Sequence, residues 1–71
     1  MINLQKQYDP HILNVAEGDY SIVYFYEYRD ILGVPYEYHV ECISDFPALR
    51  FDHLFNEYEP ALADFVSQII I

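Results

Sequence analysis

The run Tyr20-Ser21-Ile22-Val23-Tyr24-Phe25-Tyr26-Glu27-Tyr28 and the run Tyr36-Glu37-Tyr38-His39-Val40-Glu41-Cys42-Ile43 decide the fold of this chain. Both are rich in aromatic and β-branched residues, which favour a pleated, half-buried surface. In the second run apolar and charged positions alternate, the two-residue period of a strand. Between them lies Arg29-Asp30-Ile31-Leu32-Gly33-Val34-Pro35, short enough for a hairpin and holding the Gly and Pro that punctuate turns. Strand side chains alternate between faces, so Tyr36, Tyr38, Val40 and Cys42 share one face, expected to be core. Glu37, His39, Glu41 and Ile43 share the other. In the first run Tyr20, Tyr24, Tyr26 and Tyr28 lie opposite Val23 and Phe25, so both faces of that strand call for cover.

The flanks are read outward from this hairpin. Downstream, Ser44-Asp45-Phe46-Pro47 is a break, because a residue before proline is pushed out of the helical region. Ala48, Phe51, Leu54, Phe55 and Tyr58 then recur at three- and four-residue spacing, which predicts a helix from about Pro47 to Glu57. A second helix is expected from Pro60, with Ala61, Leu62, Phe65, Val66, Ile69 and Ile70 as its apolar stripe and Asp64 and Gln68 opposite. The terminal Ile69-Ile70-Ile71 carries no polar cap, which suggests burial against the sheet or a neighbouring subunit. Upstream, Asp9-Pro10 followed by Gly18 reads as a helix start and stop, with Ile12, Val15 and Ala16 on one face. The rival reading is a strand from His11 to Ala16 turning through Glu17-Gly18-Asp19 into Tyr20. Residues 1–8 alternate weakly, as a short edge strand or a loose arm. The fold class expected is α+β: an antiparallel hairpin or small sheet packed by C-terminal helices, in one domain spanning residues 1–71.

Composition narrows the partners. A chain of 71 residues buries only about 60% of the surface its unfolded form exposes, so its core is marginal and a second copy or a partner is a natural source of stability. Hydrophobic residues make up 54% of the chain against a net charge of −9, a combination that argues for a folded domain over disorder. Three basic residues, Lys6, Arg29 and Arg50, stand against twelve acidic ones. Direct binding to nucleic acid or an anionic membrane depends on Lys and Arg, so the partner expected is a basic protein surface. Cys42 is the single cysteine, which points to a reducing compartment and no internal disulfide, and no signal-like stretch opens the sequence. A cytoplasmic location is expected.

No arrangement of residues specifies a reaction. His39 and Cys42 are three apart on a strand and face opposite sides, so they do not share a metal, and no Cys/His spacing matches a zinc pattern. Asp52-His53 resembles half of a catalytic pair, yet Ser21, Ser44 and Ser67 have no nucleophile setting. With two glycines in the chain there is no phosphate-cradling loop, and no cofactor is implied. The feature that carries a function is an acidic rail: Glu37 and Glu41 share a strand face about 13 Å apart by the rise of a strand, and Glu27 joins them if the hairpin register allows. Carboxylates presented where phosphates would sit, with tyrosine rings beside them, suit competition for a nucleic-acid-binding groove. The partner-binding residues expected are Glu27, Tyr28, Tyr36, Glu37, His39 and Glu41. The same pattern also describes a solvated outer face whose charges serve solubility, and tyrosine is both an interface and a sheet residue.

From about Asp19 to Phe55 the chain resembles the start of the contractile-injection spike and phage tail-hub family, the VgrG-like proteins. The residues that carry the likeness are Glu27 with Arg29, Ile31 and Gly33, then Tyr36-Glu37-Tyr38-His39-Val40-Glu41, Ser44-Asp45, Pro47, Leu49, Asp52 and Leu54. The pattern departs at Asn56, where the family has a Gly ending a Leu-Leu-Gly turn, and a helix pattern replaces the next barrel strand. The resemblance implies a shared strand-turn-strand unit and a phage or mobile-element origin, and it carries over no active site. The function expected is a non-enzymatic inhibitor or modulator of a basic, nucleic-acid-handling protein, of anti-defence, anti-restriction, anti-CRISPR, immunity or antitoxin type. The alternative is a small structural component of a phage tail or injection assembly, with self-association through apolar surfaces.

Overall fold

The computed structural model describes residues 10–70. Four strands, β1 (His11–Glu17), β2 (Ser21–Arg29), β3 (Pro35–Ser44) and β4 (Phe51–Phe55), precede one helix, α1 (Tyr58–Ile69). The strands form one antiparallel sheet in the order β1-β2-β3-β4, and α1 packs across one face of it. The α+β class follows, with one C-terminal helix in place of the expected two. The readings made for residues 1–8, for Asp9 and for Ile71 lie outside the described residues.

The central hairpin falls as its alternation requires. Val23 lies across from Cys42 and Phe25 across from Val40, and these four meet Ala61 and Phe65 of α1 in the buried core. Phe25 and Phe65 stack with ring centroids 5.5 Å apart. Leu13, Ala16, Tyr38, Phe51, Phe55 and Leu62 close the margins. Burying a large apolar side chain is worth about 1.5–3 kcal/mol, so a core with so few fully buried residues leaves a narrow margin.

Two local expectations are corrected. Residues 11–17 form a strand, not a two-turn helix: so short a helix is marginal by itself, whereas a ladder with β2 satisfies both backbones and places Ala16 opposite Val23 and Val15 opposite Tyr24. A bulge between Ile12 and Asn14 turns Leu13 onto the core side. The helix expected from Pro47 to Glu57 is instead a single 3₁₀ turn, Pro47–Leu49, followed by β4. Arg50 is extended (φ −75°, ψ 139°), so the turn cannot propagate, and its Nε donates to the Ser44 carbonyl at 2.8 Å. In the ladder with β3, Phe51, His53 and Phe55 lie across from Cys42, Val40 and Tyr38, on the helix side. The final helix starts at Tyr58, two residues before Pro60, which sits in the first turn where a missing N–H costs nothing. Its apolar stripe reaches the sheet through Ala61, Leu62 and Phe65, whereas Val66 and Ile69 are exposed and Ile70 is 73% exposed.

The β2–β3 connection is tightly organised. Asp30 N–H donates to the Val34 carbonyl (2.9 Å) and Gly33 N–H to the Asp30 carbonyl (2.9 Å). The Asp30 carboxylate Oδ1 accepts from the N–H groups of Leu32 (2.9 Å) and Val34 (3.0 Å). Gly33, at φ +82°, takes the left-handed conformation that side chains resist. Asp30→Ala is expected to cost less than about 1 kcal/mol of global stability, because water replaces the carboxylate at an exposed loop. Amide exchange should nevertheless quicken at Leu32 and Val34; protection unchanged at both would show that the side chain does not order the loop.

Candidate functional site

The helix covers one face of the sheet, and no described element covers the other. That open face carries Tyr24, Tyr26 and Tyr28 from β2, Glu37, His39, Glu41 and Ile43 from β3, and Asp52 and Leu54 from β4, following strand alternation and the ladder register. Ile12 and Val15 of β1, across from Tyr26 and Tyr24, extend it as half-exposed aliphatics.

His39 is its centre. The residue is 8% exposed, and both ring nitrogens are engaged: Nε2 donates to Glu37 Oε2 (2.8 Å) and Nδ1 to Asp52 Oδ1 (2.9 Å). Only the imidazolium donates from both nitrogens, so the two carboxylates define its protonation state. Burial is the largest single influence and opposes the charge, but the hydrogen bonds and charges of Glu37 and Asp52 together outweigh it, raising the His39 pKa above the ordinary 6.5. Tyr26 stacks on the ring nearly parallel at 5.0 Å, and Tyr28 meets it edge-on at 5.4 Å. The Tyr26 hydroxyl donates to Glu41 Oε1 at 3.0 Å. Burial, then that hydrogen bond, then the neighbouring carboxylates push the Tyr26 pKa well up, so the phenol stays neutral. The face thus presents three carboxylates around one buried cation.

The expected binding residues separate under this geometry. Glu37, His39, Glu41 and Tyr28 do share the open face, although His39 lies within the cluster and does not project from it. Glu27 does not join the rail. It falls on the helix side with Phe25, is 4% exposed, and is paired with the Arg29 guanidinium, which compensates its burial. Alternation assigns Tyr36 to the core side, yet it is 53% exposed, because the hairpin runs past the end of the helix; its ring lies 6.5 Å from Tyr28. Asp52 is the residue that reading the sequence missed. Treated as part of a helix it faced nowhere in particular, and only the short alternation Phe51-Asp52-His53-Leu54-Phe55 places it beside His39.

Asp52-His53 is split as a catalytic pair. Asp52 faces His39, whereas His53 Nδ1 is bonded to Asp64 of α1 (2.8 Å) on the covered side, where it clamps β4 to the helix. Glu37 and Asp52 bond opposite nitrogens of the His39 ring, so no single ion could take ligands from all three. Among the described residues, no group of three or more His, Cys, Asp or Glu side chains is placed to hold a metal. Cys42 is buried on the helix side, and no described helix is long and apolar enough to cross a membrane. No protein-family model, curated protein or solved structure matches the chain.

Proposed function

We propose that this chain is a non-enzymatic binding protein whose open sheet face meets a basic surface on a larger, nucleic-acid-handling protein and blocks or modulates it. The observation that supports this reading is the one-sided cover of the sheet: Glu37, Glu41 and Asp52 stand beside tyrosine rings and half-exposed aliphatics on a face that nothing in the described chain occupies. Aromatic residues supply contact area at low entropic cost, and carboxylates steer a cationic partner into register. His39 moderates the charge, since its imidazolium offsets one of the three carboxylates.

The test is an affinity pull-down from host-cell extract, repeated at low and high salt and read by mass spectrometry. A basic, nucleic-acid-binding protein captured at low salt and lost at high salt is the expected result. Glu37→Gln with Glu41→Gln removes two charges while keeping an acceptor for His39 and for Tyr26, so the fold should persist. This double variant should bind the captured partner at least about tenfold more weakly at low salt. Undiminished binding would remove the open face from the interaction.

A second reading, a small component of a phage tail or injection assembly, draws on the exposure of Ile69 and Ile70 at the far end of α1. It requires capture of assembly proteins or of the chain itself that survives high salt.

A further inference from the structure

The pairing register leaves one part of the molecule unsupported. β1 begins its ladder at His11, opposite Glu27, and β4 ends its ladder at Phe55, opposite Tyr38. Beyond those rungs β2 and β3 have, among the described residues, no neighbours but each other, so residues 28–37 extend as a two-stranded finger from a molecule 42 × 26 × 16 Å in extent. The tip of the finger is apolar. Leu32 is 84% exposed, Ile31 75%, and Val34 and Tyr36 each 53%. Leu32 and Ile31 are the most exposed large hydrophobics among the described residues, and Val34 and Tyr36 follow them at the end of the loop and the start of β3.

Three observations say what such a tip fits. Its shape is set before any encounter, because Asp30 ties the loop through two backbone bonds and two side-chain bonds, and an ordered loop loses less entropy on docking. Its charges are acidic: Asp30 at the base and Glu37 on the flank, with Arg29 engaged by Glu27. An anionic bilayer, which is held by Lys and Arg, has nothing to grip there. A second copy is also disfavoured: grooves at the opposite end of the molecule are lined by Glu17 in one case and by Asp19 and Asp45 in another, and the groove between β3 and β4 sets Glu41 and Asp52 against the single cation Arg50. Acid would meet acid.

We propose that the finger is a docking plug: Ile31, Leu32, Val34 and Tyr36 enter an apolar pocket, rimmed by basic residues, on a partner protein. This goes beyond the open face and rests only on the reading of the chain as a binding protein. Four side chains are too few for a whole interface of about 20–30 residues a side, so the finger is its anchor.

The test uses the full chain carrying a photoreactive benzophenone amino acid in place of Leu32, or in place of Asp19 at the other end as a control. After irradiation in host-cell extract, the adduct is identified and its protein purified for titration. Crosslinking from position 32 and not from 19, into a pocket with basic residues at its mouth, is the expected result. Leu32→Asp and Ile31→Ser, both with unchanged thermal midpoints, should each weaken binding to the purified partner, by about 30-fold for Leu32→Asp, at low and at high salt. Affinity unchanged in both variants overturns the proposal, as does the absence of an adduct from position 32. An adduct with the chain itself, or cosedimentation with phosphatidylcholine–phosphatidylglycerol vesicles that Leu32→Asp abolishes, also overturns it and reassigns the tip to a second copy or to lipid. Binding lost on Leu32→Asp but kept on Glu41→Gln with Asp52→Asn, two open-face carboxylates outside residues 28–37, would retain the finger and discard the open face; the reverse pattern would do the opposite.

Discussion

Phe65→Ala is expected to leave the chain largely unfolded at 25 °C. Phe65 is 2% exposed and is the one large side chain that α1 buries completely; its only fully covered companion on the helix is Ala61. Truncating a buried Phe costs about 3–5 kcal/mol through lost burial and the cavity left behind. A domain of this length has a total stability of that order. With Phe65 gone, Phe25 loses its stacked partner and the core side of the sheet loses its lid. Urea denaturation followed by circular dichroism would check it, with Phe65→Leu as a milder control. An unfolding free energy for Phe65→Ala within about 1 kcal/mol of the parent would mean that α1 does not hold the sheet.

Raising the pH from 6 to 9 should lower the thermal midpoint, and His39→Gln should remove most of that dependence. The folded state holds the His39 proton above the ordinary value of 6.5, through Glu37 and Asp52. The resulting stabilisation is fully present below the unfolded pKa of about 6.5 and is lost as pH rises through the folded pKa. Above it, one of the two ring bonds loses its donor and two carboxylates face each other across a neutral ring. Loss of one such bond is worth on the order of 1 kcal/mol, because Asp52 is half exposed and solvent screens it. For a domain this small that corresponds to about 4–8 °C. A midpoint that holds steady or rises between pH 6 and 9 would contradict the doubly bonded imidazolium.

The sequence discloses the centre of this molecule more readily than its edges. β2 and β3 are legible because each position obeys one period: Val23, Phe25, Val40 and Cys42 inward, Tyr24, Tyr26, Glu41 and His39 outward. Glu27 shares parity with Phe25, so the same period places it inward and contradicts the expectation that it joins the rail; its pairing with Arg29 two residues along the same face is a matter of side-chain reach. β1 was ambiguous because Asp9-Pro10 and Gly18 signal a helix while Ile12 and Val15 favour a strand, and the free edge of β2 decided between them. β4 is hidden in the sequence because the spacing of Ala48, Phe51, Leu54 and Phe55 suits a helix, and five residues of alternation are too few to compete. The helical spacing also conceals Asp52, the second partner of His39. The exposed finger was present as Ile31, Leu32 and Val34, but its projection follows from where β1 and β4 stop, which no local pattern encodes.

The order of the strands has a consequence for how the chain acquires its structure. Each strand pairs with the one immediately before it, so every rung of the sheet closes a short loop and the entropy lost at each step is small. Sheets of this connectivity have low contact order for β proteins and are expected to fold by zipping outward from the β2–β3 turn. The helix follows all four strands in the chain, so the apolar side of the assembled sheet stays bare until α1 docks. That interval is when the protein is most exposed to sticking to its neighbours, and its large negative charge then acts as a solubilising coat for an unfinished fold.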